Sequence, residues 1–135
     1  MKTDVLHDIK VHVRFKLSAL WAALMFCYIY GDYFGLYVPG QLQGMLDGAG
    51  PIGPVSEASL VATALLLAVP GVMVFLSLVL SPRFCRWLNI VLGVFYTVIM
   101  LLTMPGAWWF YLMLGVIEVA LSLLIVVYAW RWPRG

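Results

Sequence analysis

The heptapeptide Ser81-Pro82-Arg83-Phe84-Cys85-Arg86-Trp87 decides how this chain folds, because its two arginines are the only positive charges between residues 17 and 130. Apolar stretches flank it at 58–80 and 87–104, and two more lie farther out at 17–38 and 107–130. Each reaches or approaches the ~20 residues that cross a ~30 Å hydrocarbon layer at ~1.5 Å rise per residue. The other Lys and Arg residues stand before the first stretch (Lys2, Lys10, Arg14, Lys16) or after the last (Arg131, Arg134). Four passages therefore put every positive charge on one face of a bilayer, and the positive-inside rule makes that face cytoplasmic. The expected fold is all-α, a polytopic bundle of four transmembrane helices, N-in/C-in, in a cell inner (cytoplasmic) membrane. Residues 1–16 would form a cytoplasmic amphipathic tail, 17–132 the transmembrane domain and 39–56 an outer loop.

Composition supports the class. The chain is 64% hydrophobic and 10% charged, against roughly a quarter charged in soluble domains, so almost none of it is built for water. The apolar runs are continuous rather than alternating, which rejects a transmembrane β-barrel. The first stretch is too long for a cleaved signal sequence and lacks a small-x-small cleavage site near its end. Cys27 falls inside a span and Cys85 in the basic turn, so no disulfide is expected, and no Cys-x-x-Cys suggests thiol redox chemistry. His7 and His12 both lie in the tail, which leaves no intramembrane imidazole for a haem. No phosphate loop, metal-ligand cluster or basic-aromatic stripe is present, so neither a cofactor, a metal nor nucleic acid is expected as a partner.

Within the tail, Leu6, Ile9 and Val13 recur at helical spacing among Lys10, Arg14 and Lys16. That pattern predicts a short amphipathic helix on the inner leaflet, although the alternation of Val11, Val13 and Phe15 with polar residues also suits a strand. The outer loop is rich in Gly and Pro, with one or two helical turns expected at 41–47. Ser56 reads as an N-cap and Glu57 as the acid at the positive end of the next helix dipole. Pro82 ends that helix, and Pro105-Gly106 makes a tight outer turn. Trp87, Trp130 and Trp132 mark one interface, with Tyr37, Trp108 and Trp109 at the other.

Polar and small residues form one stripe per span at alternating steps of three and four. They are Ser18, Trp21, Met25, Tyr28, Asp32 and Gly35, then Ser59, Thr63, Leu66, Pro70, Met73 and Ser77. The third span gives Asn89, Gly93, Tyr96, Met100 and Thr103, and the fourth Tyr111, Gly115, Glu118 and Ser122. Such spacing keeps each set on one face, so the stripes should turn inward together. Gly31 and Gly35 form a small-xxx-small pair that would seat a close neighbour. Pro70 cannot donate to the carbonyl of Leu66, so a kink is expected there.

Two acids lie within spans: Glu118 at the centre of the fourth, and Asp32 ~7.5 Å outward from the centre of the first. A charge at mid-bilayer costs ~2.5–3.5 kcal/mol on insertion scales, so such acids must be buried in protein, hydrated or protonated. Either they bind a proton or cation, with Glu57 extending the line outward and Asn89 inward, or Glu118 is a neutral donor locking the helices and Asp32 caps loop backbone. Tyr28 and Tyr30 would stand near them as phenols. Helices in contact sit ~8–10 Å apart, which would bring the two carboxyls within direct or one-water reach.

Tyr28-Ile29-Tyr30-Gly31-Asp32 with Pro39-Gly40, Leu76-Ser77 with Arg86-Trp87-Leu88-Asn89-Ile90, and Ile117-Glu118 leading to Ala129-Trp130-Arg131-Trp132 carry a resemblance. The chain resembles an uncharacterised family of small bacterial four-helix integral membrane proteins. The resemblance implies that Asp32, Asn89 and Glu118 occupy signature positions; it implies no activity. Val69 stands where members often carry an acid before the proline of the second helix.

Three function classes follow. The first is a module, in a homo-oligomer or a membrane complex, that binds or transports protons, cations or a small cationic or amphiphilic ligand. Its candidate residues are Glu118, Asp32, Asn89, Tyr28 and Glu57. It shares the logic of small four-helix multidrug exporters, but the complete charge bias disfavours their antiparallel dual-topology dimer. The second is an accessory subunit packing against a larger complex. The third, an enzyme acting on a lipid-soluble substrate, has no nucleophile, metal or cofactor motif behind it.

Overall fold

The computed structural model describes residues 5–50 and 53–133. Lys2, Pro51 and Arg134 lie outside the described residues, as does the start of the tail. Helix α1 spans Val13–Gly35, the short α2 Gln41–Leu46, α3 Glu57–Val79, α4 Pro82–Thr103 and α5 Trp109–Trp130. A two-residue hairpin, β1 (Ala49–Gly50) paired antiparallel with β2 (Gly53–Pro54), follows α2. Four helices, α1, α3, α4 and α5, are long and apolar enough to cross a membrane, the architecture of a multi-pass membrane protein.

Several boundaries differ from expectation for identifiable reasons. The described part of the tail carries no helix before Val13 and is exposed. Instead α1 starts four residues early, where His12 Nδ1 accepts from the Arg14 backbone N–H and Val13 and Leu17 enter the core. Three or four apolar residues spread along an exposed tail offer too little burial to offset the ordering cost of a separate helix. Helix α4 begins at Pro82 rather than at residue 87, because proline is suited to a first helical turn whose N–H groups lack partners. Arg83, Cys85 and Arg86 thus belong to α4 and only Leu80 and Ser81 join it to α3. The hairpin is a further departure; it closes around Gly53, at φ 111°, a backbone conformation open to glycine.

Other local signals hold. Ser56 caps α3 in a reciprocal capping box with Ser59, and Glu57 lies in the first turn. Gly106, at φ 79°, turns the chain between α4 and α5.

The helices pack in the order α3, α1, α5, α4; the backbones of α3 and α4 stay apart despite their short link, and side chains bridge them. The start of α1 and the end of α5 meet at what we call the terminal end. There Arg14 lies over the Trp132 ring and Lys16 over Tyr128, and Arg86 contacts both Trp87 and Trp130. These cations also cap helix carbonyls: Arg86 donates to Ala129 O and Trp130 O, and Arg14 to Ser77 O. The opposite, loop end carries α2 and the hairpin.

Most of each stripe turns inward, whereas Asp32 and Thr103 near the loop end are exposed. Pro70, Met73 and Ser77 of α3, Asn89, Gly93, Tyr96 and Met100 of α4, and Gly115, Glu118 and Ser122 of α5 are all buried. The Leu66 carbonyl vacated by Pro70 accepts instead from the Tyr96 hydroxyl. Interhelical hydrogen bonds in membranes contribute ~0.6–2 kcal/mol. Tyr96→Phe should therefore lower stability by about that amount in reversible unfolding from mixed micelles. Pro70→Ala should be milder in the Tyr96→Phe background than alone, because the alanine backbone supplies the missing N–H to Leu66.

Candidate functional site

Glu118 sits mid-way along α5 on the same face as Tyr111, Gly115 and Ser122, and is 3% exposed. Its carboxyl approaches α1 where that helix has no side chain: a Cβ added at Gly31 would lie 4.0 Å from Glu118 Oε2 and 3.6 Å from Leu114 Cδ1. Of the small-xxx-small pair only Gly31 meets a neighbour; Gly35 faces open space and seats no helix. Glu118 Oε1 is buried with no hydrogen-bond partner, and so is the hydroxyl of Tyr28. Buried polar groups are nearly always paired, so two orphans on facing helices need an explanation.

Both residues line one cavity of about 280 Å³ to which all four long helices contribute. Tyr28 and Asp32 come from α1, Thr63, Leu66 and Leu67 from α3, Tyr96, Ile99, Met100 and Thr103 from α4, and Tyr111 and Glu118 from α5. Asp32 is exposed, unlike Glu118, and stands toward the loop end. No hydrogen bond between the two carboxyls is formed, but they share the cavity, and among the described residues no Lys or Arg lines it. Among the described residues the two acids therefore share a cavity without a cationic side chain in its wall.

Toward the terminal end the cavity is closed. Trp21 Nε1 donates to Asn89 Oδ1 at 2.7 Å, and Asn89 Nδ2 donates to the Cys85 carbonyl at 2.8 Å. Trp21 and Asn89 are both fully buried, with Leu24, Met73 and Ile125 completing the plug. Asn89 therefore does not join the acids; its amide is committed to fixing the core below them. Glu57 does not join them either, since it is exposed in the first turn of α3. Tyr30 turns away from the cavity, is 54% exposed and stacks with Phe34.

Tyr96, Tyr111, Thr63 and Thr103 belong to the site although the sequence marks them only as stripe residues. Their shared face with Glu118 and Asp32 is the available signal. What the sequence lacks is the pairing of helices that brings the four stripes to one level.

The fold and the cavity define a class: a multi-pass four-helix membrane bundle with a carboxyl-lined interior chamber. Within that class, residues 5–135 match the model of a family of unknown function, DUF6326, and the chain belongs to this family. No curated protein and no solved structure matches it.

Proposed function

We propose that this protein binds a proton or a small cation at Glu118 and Asp32 and serves in moving it across the cytoplasmic membrane, with the terminal end facing the cytoplasm. The observation that carries the reading is the pair of orphaned oxygens, Glu118 Oε1 and Tyr28 OH, on residues that line a cavity with a second carboxyl and, among the described residues, no basic one. An ionised carboxylate alone there would be an uncompensated charge in a low-dielectric interior. A proton neutralises it; so does a bound cation, and exchange of one for the other gives the site its chemistry. Self-association of the bundle fits this role, because a cavity built entirely from one chain leaves its outer faces free to pack.

The test is proton release. In weakly buffered detergent solution with a pH-sensitive dye, adding sodium, potassium or a quaternary ammonium salt should release protons from the wild-type protein and none from Glu118→Gln. Equal traces for both proteins with all three salts would overturn the reading and favour an accessory subunit.

The orientation carries its own prediction. With Cys27 and Cys85 replaced by alanine, a cysteine at Gln43 should react with an impermeant maleimide added outside intact cells, and one at Arg83 only after permeabilisation. External labelling of the Arg83 position would reverse or break the topology.

A further inference from the structure

A second cavity, of about 630 Å³, lies between the loop-end halves of α1 and α5, with Gln41 and Met45 of α2 on its wall. Asp32 and Tyr111 line this vestibule and the inner chamber alike. Gly31 and Gly35 keep its α1 side open; a Cβ added at Gly35 meets nothing within 4 Å.

We propose that vestibule and chamber form one path for a small organic monocation, an alkyl- or arylammonium, entering from the loop end past Asp32 and coming to rest against Glu118. This inference rests on the cation-binding reading above and adds the ligand's class and route. Four observations select that class. The chamber, near the lower end of the ~300–1,000 Å³ of small-molecule pockets, is far larger than a bare ion needs. Hard divalent cations take about six to eight oxygen ligands, whereas among the described residues no three His, Cys, Asp or Glu side chains cluster. Three tyrosines surround the acid, and two have their hydroxyl protons committed, Tyr96 to Leu66 O and Tyr111 to Thr103 Oγ1. Tyr96 is itself buried against Trp21, Tyr28 and Phe95, so the half-buried Tyr111 supplies the ring surface that attracts an ammonium centre within ~6 Å. The remaining wall, Leu66, Leu67, Ile99 and Met100, is apolar and suits the carbon part of such a cation.

Charge and shape then divide the work. The ammonium replaces the carboxyl proton of Glu118, which leaves to solvent through the vestibule, while Asp32 holds the cation at the junction between the two spaces. The plug of Trp21 and Asn89 closes the described conformation toward the terminal end.

The experiment uses the full chain in detergent with phenyltrimethylammonium and its neutral isostere tert-butylbenzene, followed by ligand-observed magnetic resonance and by proton release. Wild type should bind the cation and release a proton, with the isostere at least about tenfold weaker. Glu118→Gln should weaken cation binding by about tenfold or more and leave isostere binding unchanged. Gly35→Leu, placed where a side chain has room, should slow association by about tenfold, and Gly35→Ala less, with helicity checked by circular dichroism. Equal affinity for cation and isostere would overturn the charge recognition, and unchanged association in Gly35→Leu would overturn the route. Proton release by sodium or potassium but not by phenyltrimethylammonium would overturn the organic class while leaving Glu118 as a cation site. Silence with every cation would sink both.

Discussion

Glu118→Lys is expected to prevent accumulation of folded protein in the membrane, whereas Glu118→Gln is expected to fold normally and lose cation-driven proton release. The side chain is 3% exposed at the middle of α5, so a lysine there cannot reach either interface. A cation at that depth costs ~2.5–3.5 kcal/mol by insertion scales, a large part of the ~5–15 kcal/mol that holds a typical domain together. Glutamine keeps the size and a hydrogen-bond donor and removes the exchangeable proton. Asp32 shares the cavity and is the one acid able to meet a lysine at 118. Removing it as well, in Glu118→Lys with Asp32→Asn, should deepen the defect. Expression of a fluorescent C-terminal fusion, followed by size-exclusion chromatography, ranks the variants. A well-folded Glu118→Lys protein would mean that water already reaches this position.

Gly93→Leu should be similarly damaging through a different route. At Gly93, helix α4 meets α5 so closely that an added Cβ would lie 2.7 Å from Val126 Cγ2 and 3.3 Å from the Ser122 carbonyl oxygen. The first contact is with a stiff β-branched side chain and the second with backbone, so neither yields without moving the helices apart. Separation also breaks the contact between the Thr97 and Ser122 hydroxyls, 2.6 Å apart. Overpacking costs ~1–3 kcal/mol and sometimes more. The smaller Gly93→Ala should lie in that range and be partly relieved by Val126→Ala, a non-additivity expected of residues in contact. Thermal unfolding monitored by tryptophan fluorescence gives the comparison. Additive losses would show that the close approach is not the cause.

Helix number and the inward faces are readable in the sequence because each depends on one stretch of chain at a time. Charge placement around Arg83 and Arg86 gives four passages, and steps of three and four put Glu118 and Tyr96 on interior faces without knowledge of their neighbours. The empty carbonyl at Leu66 is readable from Pro70 for the same reason. Its donor, Tyr96, is not, since that requires knowing where α4 stands relative to α3. Asn89 shows the converse: its position on an inward stripe suggests a site, yet its depth opposite Trp21 makes it part of the plug. The tail and the hairpin escape because a few alternating or small residues fit several local structures about equally, and packing decides among them.

The central claim is that Glu118 is an exchangeable carboxyl in the chamber, occupied by a proton until a cation replaces it. Infrared difference spectroscopy of wild type minus Glu118→Gln, recorded from about pH 5 to about pH 9 with and without an added cation, tests it most directly. The account predicts a protonated-carboxyl C=O band that is present without cation, absent in Glu118→Gln, and lost when the cation binds. A Glu118 carboxylate already ionised at about pH 5 without cation, or a carboxyl band unmoved by any cation, would contradict it.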